Sequence, residues 1–262
     1  GGVYCEGGGI VDNCIVENCR ADYGGGIRVF NLGRIQNCII RNNTSVKGPG
    51  GDGGGGGIHA RNNAEVYDTT IYGNTAADSG GGIKLSQGGT VARCTIYNNT
   101  ASRYGGGIYC FEGGKLSESQ VYGNTALYGG GVRLYRQSGD VPEVRRCVVR
   151  NNTTTTANGG GIPLAVNGLV ENSLIYDNIA GGNGGGVYMH NGGTLHSCTI
   201  AYNDTKDTDN NGAGDGIGGG IYTSGGATIR NTISFWNNGE DNQNRNTESA
   251  TDRYNNCLTY PA

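Results

Sequence analysis

The sequence predicts an all-β chain, a parallel β-solenoid of about nine rungs, and three observations carry that reading. Glycine supplies 53 of 262 residues, about one in five against a usual share of about 7%. A triplet of glycines followed by Ile or Val recurs along the whole chain. Counted from that triplet, successive positions keep their chemical character, which is the signature of a repeat architecture.

The composition excludes other classes first. Interior glycine costs roughly 1 kcal/mol relative to alanine in a helix, so the chain is not mainly helical. With 4 prolines and no three-residue period it is not collagen-like. A hydrophobic share of 35% and 16 tyrosines argue for buried structure rather than disorder. The net charge is -3 and the isoelectric point near 5.6, so no global field favours nucleic acid. No apolar run is long enough for a transmembrane helix. Without an initiator methionine or signal peptide, the chain reads as a fragment or processed part of a larger protein.

The first element of each unit is the triplet. It begins at Gly24, Gly55, Gly80, Gly105, Gly129, Gly159, Gly184 and Gly218, and Gly1-Gly2 is a truncated ninth copy. The spacings are 31, 25, 25, 24, 30, 25 and 34, so units of 24 or 25 residues carry occasional insertions. Glycine suits a sharp corner that needs positive φ or close backbone approach. The triplet is followed by an aliphatic column from Val3 and Ile27 to Ile221.

A second aliphatic column comes next: Val11, Ile35, Val66, Val91, Leu116, Val170, Leu195 and Ile229, with Val144 displaced by an insertion. Three residues later stands a small side chain: Cys14, Cys38, Thr69, Cys94, Ser119, Cys147, Ser173, Cys198 and Thr232. A third aliphatic column follows at Val16, Ile40, Ile71, Ile96, Val121, Val149, Ile175 and Ile200, broken by Ser234. Short alternating β-branched stretches between Gly, Asn and Asp predict three strands per unit. At about 4.8 Å per rung, nine rungs make a rod roughly 43 Å long.

The last element is asparagine: Asn43, Asn74, Asn99, Asn124, Asn152, Asn178, Asn203 and Asn237, with Cys19 in the first unit. A column of inward amides predicts a ladder at a corner, each side chain bonding to its neighbours above and below. The whole of 1–262 reads as one domain, with rungs starting near 1, 24, 55, 80, 105, 129, 159, 184 and 218. Residues 233–262 read as a closing rung or C-terminal cap.

Of the nine cysteines, five share the small column with Ser and Thr, and Cys5 and Cys110 point inward by strand parity. Interchange with Ser and Thr marks compact core residues, so free buried thiols are expected rather than a disulfide lattice. No C-x-x-C pair is present, which argues against zinc.

These units resemble the bacterial right-handed parallel β-helix repeats of polymorphic outer-membrane-protein-like and other large surface or secreted proteins. The resemblance rests on the G-G-G-[IV] corners and on stretches such as Ile71 to Ala76 and Val121 to Ala126, and it covers nearly the whole chain. It implies a single-stranded right-handed β-helix, an extracellular or bacterial cell-surface setting, and an anchor or sorting module beyond the closing rung. Polysaccharide lyases share the solenoid, so an enzyme reading enters by fold analogy.

Insertions in a solenoid map to loops that often carry function. The longest contains Asp207, Asp209, Asn211 and Asp215, whose alternating oxygens and intervening glycine resemble a calcium loop of the thrombospondin type 3 kind. A polar loop of turn-forming residues is the alternative. Val46 to Asp52 reads as a linker-like loop without a phosphate-binding signature. The sixth unit gathers Arg133, Arg136, Arg145, Arg146 and Arg150, a basic set suited to an acidic polysaccharide, with Asp140 and Glu143 at hand as partners.

Two columns point outward. Tyr72, Tyr97, Tyr122 and Tyr176 lie in one, and their rings either stack on sugars or partners or stack on each other and stiffen the sheet. The second runs through Tyr4, Arg28, His59, Lys84, Tyr109, Arg133, Pro163, Tyr188 and Tyr222. Two functions follow as expectations. The first is a structural or adhesive extracellular solenoid, acting as stalk, adhesin passenger or filament subunit through end-to-end self-association. The second is a carbohydrate-active protein, either a polysaccharide lyase or a module that binds acidic glycan.

Overall fold

The computed structural model describes residues 1–46, 53–136, 138–206, 216–239, 253–255 and 257–259. The strands assemble into four parallel sheets that run the length of the solenoid, with nine, ten, ten and eight strands. The first sheet takes the four-residue strands after each triplet, such as Ile58–Arg61, Ile83–Ser86 and Ile108–Phe111. The second and third take three-residue strands such as Glu65–Tyr67 and Thr70–Tyr72. Registers follow the sequence columns: Ile83 pairs with Ile58 and Ile108, and Ile96 with Ile71 and Val121. Val144 falls between Leu116 and Val170 despite the insertion before it.

One expectation is corrected. Among the described residues the first eight rungs carry four strands rather than three, the fourth being a two-residue pair such as Thr75–Ala76 or Thr100–Ala101 directly after the ladder position, and the ninth keeps only an isolated bridge there, Asn238 to Asp204. Two residues cannot display an alternation, and the inward member is often alanine. Ala76, Ala101 and Ala126 form their own small buried cluster.

The corners have a local cause. In all nine rungs the residue before the small column and the residue before the ladder position have positive φ, as at Asn37, Asn42, Asp68, Gly73, Arg93 and Asn98. A single left-handed residue reverses the side-chain alternation and bends the rung, and Asn, Asp and Gly take that conformation most readily. The triplet makes the tightest corner. Gly80 has φ of 66°, and a Cβ on Gly81 would run into the carbonyl oxygen of Gly106 and the backbone of Thr100.

Inside, aliphatic columns from the first three sheets meet in one continuous core, with Ile27, Ile35, Ile40, Ile58, Ile71 and Ile83 fully buried. The asparagine ladder forms as its column suggests. Asn74 accepts from the backbone nitrogen and the amide of Asn43 at 2.9 and 3.0 Å, and its own Nδ2 reaches the Ile40 carbonyl at 2.9 Å. The pattern continues to Asn203 and Asn237, and the backbone of Cys19 donates to Asn43 at the other end. The small column is a second ladder. The backbone nitrogen of Cys38 donates to Thr69 Oγ1 and that of Cys94 to Ser119 Oγ, at 3.3 and 3.0 Å. The same side chains donate back to carbonyls two residues earlier, Thr69 to Tyr67 and Cys94 to Ala92. That shared role explains why thiol and hydroxyl interchange there. Among the described residues no disulfide links the cysteines.

Candidate functional site: a cationic groove on the first sheet

The outer face of the first sheet is not a bare surface. Arg28, His59, Lys84, Tyr109 and Arg133 alternate with the inward aliphatics, and neighbours lie in direct register. The residues just before each triplet, Tyr23, Gly54, Ser79, Tyr104 and Tyr128, pair with one another and raise a wall beside that column. His59 is left 5% exposed, Lys84 9% and Tyr109 7%. The expected outward column is therefore largely covered here. Gly54 leaves room for this, because a Cβ there would push the Lys84 stem aside.

Wall and column enclose a groove of about 380 Å³. Its cations are Arg28, Arg61, Lys84 and Arg103, and its carboxylate is Asp78. Asp78 is already engaged, accepting from Ser79 Oγ at 2.8 Å and from Arg103 at 3.2 Å. Aromatic faces support the cations. Arg28 lies 4.9 Å from the Tyr23 ring centroid and 4.6 Å from that of Phe30, and Arg103 lies 4.8 Å from that of Tyr104. Just beyond, Arg133 sits 4.2 Å from the centre of Tyr104 and 5.4 Å from that of Tyr128, and burial lowers its pKa.

His59 stacks on Tyr23 at 5.7 Å and meets Phe30 edge-on at 5.9 Å. Burial, then the neighbouring Lys84, Arg28 and Arg61 charges, push its pKa down to about 3. Burial likewise raises the pKa of Tyr109. Three nitrogens of this column, Arg28 Nε, His59 Nδ1 and Arg133 Nε, are buried with no hydrogen-bond partner. Buried donors and acceptors normally find one, so these three stand out on the sheet.

The residues singled out from the sequence are distributed differently. Tyr72, Tyr97 and Tyr122 stack at 4.8 and 5.0 Å with interplanar angles of 8° and 5°. Both faces of Tyr97 are covered by its neighbours, Arg41 bonds the Tyr72 hydroxyl at 2.9 Å, and Arg150 lies 4.4 Å from the Tyr122 centroid. Tyr176 continues the column in register with Arg150. These rings stiffen the third sheet and leave little face for a sugar.

The five arginines are not one patch. Arg133 belongs to the first sheet and Arg150 to the third. Arg145 pairs with Glu143 and Glu171, Arg146 with Glu118, and Arg136 donates to the Gly139 carbonyl. Asp207, Asp209, Asn211 and Asp215 lie outside the described residues, as do positions 47–52. Among the described residues no cluster of three or more His, Cys, Asp or Glu side chains is placed to hold a metal. The groove itself had a signal in the sequence: an aromatic or hydroxyl residue recurs directly before the triplet at Tyr23, Ser79, Tyr104 and Tyr128.

Fold and groove together define a parallel β-solenoid with a cationic, aromatic-walled groove on its first sheet. The chain belongs to the right-handed β-helix family: the family described as "Right handed beta helix region" matches residues 1–142, just over half of the 262. No curated protein and no solved structure matches the chain. Among the described residues no helix is long and apolar enough to cross a membrane.

Proposed function

We infer that this chain is an extracellular or cell-surface β-helix rod whose first-sheet groove binds an acidic saccharide. The observation that carries this reading is the imbalance in the groove. Among the described residues four cations and one carboxylate line it, and buried nitrogens of Arg28 and His59 have no hydrogen-bond partner. Arg28 is half-buried and Arg61 and Arg103 are exposed at the groove; an anionic sugar supplies a counter-charge that these guanidinium groups can bond, together with a ring that aromatic walls can pack against. The ladders keep the groove residues on a stiff frame, so little ordering cost accompanies binding.

Calorimetric titration with oligogalacturonate and with a sulfated oligosaccharide tests the reading. Saturable binding that weakens with salt and falls at least tenfold in Arg61→Glu/Arg103→Glu supports it. Equal affinity in the double variant, or no binding of either probe, overturns it. Release of unsaturated sugars from the bound probe would move the assignment from a binding module to a lyase. For the calcium loop, a melting temperature that rises with calcium and falls with chelator supports Asp207, Asp209, Asn211 and Asp215 as ligands.

A further inference from the structure

His59 lies on the groove floor, between Arg28 in the preceding rung and Lys84 in the next. Arg61, two residues on, points to the same side of the sheet and lines the same groove. From the wall, Tyr23 covers the ring, and Asp78 stands farther along, tied to Ser79 and Arg103. Phe30 closes the remaining edge. The imidazole is therefore ringed by cations and apolar surface, with its Nδ1 buried and unpartnered.

That setting disfavours a second proton on the ring for two reasons, loss of water and repulsion from Lys84, Arg28 and Arg61. An anion held by the same cations acts against both. It brings negative charge within a few ångströms of the ring and offers an acceptor for an imidazolium N–H. We propose that His59 takes up a proton when an anionic group enters the groove, so that anion capture strengthens as pH falls. The event is one proton from solvent joining one neutral imidazole beside one bound anion, with no bond to the ligand made or broken. This inference rests on reading the groove as an anion-binding site. By linkage, affinity rises by up to tenfold for each unit fall in pH while the free ring is neutral and the occupied ring is charged.

A sulfated oligosaccharide is the probe of choice, because its charge does not titrate in the range used. Calorimetric titration of the full chain, in buffer pairs of differing ionisation enthalpy from about pH 5 to about pH 7, counts the protons taken up on binding. Uptake approaching one proton at the acid end, absent from His59→Gln whatever its absolute affinity, is the expected result. NMR of the His59 ring provides the readout that needs no variant: its titration is expected at higher pH with the probe bound than without. Binding with the same proton count in His59→Gln as in the native chain, or a His59 titration that the probe does not move, overturns the inference while the binding site stands. Failure of the probe to bind at all overturns both.

Discussion

A single atom of Asn99 closes the turn of the rung before it: Asn99 Oδ1 accepts from the backbone nitrogen of Asn74 and from Asn74 Nδ2, both at 3.0 Å. Asn99 then makes the same pair of bonds to Asn124, so each amide serves as acceptor for one neighbour and donor to the other.

Truncating one amide in mid-ladder consequently strands more than itself. In Asn124→Ala the backbone nitrogen of Asn99 and the carbonyl of Ile96 lose a partner in a buried corner, while Asn99 Nδ2 keeps only its bond to the Ile71 carbonyl. Each stranded group costs about 1–3 kcal/mol. A loss of several kcal/mol in urea unfolding is expected, and a loss below about 1 kcal/mol would show that water replaces the amide.

His59 gives the fold its own pH dependence. Its folded pKa of about 3 lies below the ordinary 6.5, so below pH 6.5 the unfolded chain binds a proton that the folded chain refuses. This contribution to stability is complete above pH 6.5 and is lost as pH falls toward 3, at up to ~1.4 kcal/mol per pH unit. Urea midpoints at neutral and mildly acid pH, native against His59→Gln, check it. Parallel pH curves would contradict a buried neutral ring.

Two aromatic residues occupy positions that other rungs give to Asn, Asp or Gly. Tyr202 and Trp236 have φ of 55° and 50° and are 51% and 55% exposed, so their rings recover little burial for the strain. Tyr202→Asn and Trp236→Asn are expected to stabilise by about 1 kcal/mol each. Thermal melts that fall instead would indicate that the contact of these rings, 5.2 Å apart, outweighs the backbone term.

The thiols separate by depth. Burial pushes Cys94 and Cys110 up to about 12 and Cys147 and Cys198 up to about 11, whereas Cys14 is exposed. Because the thiolate is the reactive form, Cys14 is expected to react first with a thiol reagent and those four only on unfolding. Mass mapping of the labelled sites settles the order.

Inward residues were legible in the sequence because each rung asks the same thing of them. Aliphatic columns, ladder asparagines and the Cys/Ser/Thr column meet closely similar surroundings from rung to rung. The fourth strand escaped because two residues, Thr75 and Ala76 for instance, carry no periodicity. The groove escaped for the opposite reason: Arg28, His59, Lys84 and Tyr109 share a position and no chemistry. Strand parity places them outward, and parity does not reveal that the wall before the triplet folds over them. Arginine density along the chain also misled, because neighbours such as Arg145 and Arg150 are delivered to different sheets.

Because every rung meets its neighbours through the same columns, length is a free variable of this design. Removing residues 159–183 joins Asn158 to Gly184 and brings Asn152 against Asn203, with aliphatic facing aliphatic throughout. Whole units can thus be duplicated or lost by recombination without inventing a new interface, and only the successive units that line the groove are costly to discard. Growth by copying would extend the reach of such a molecule while each new outward column stays open to change.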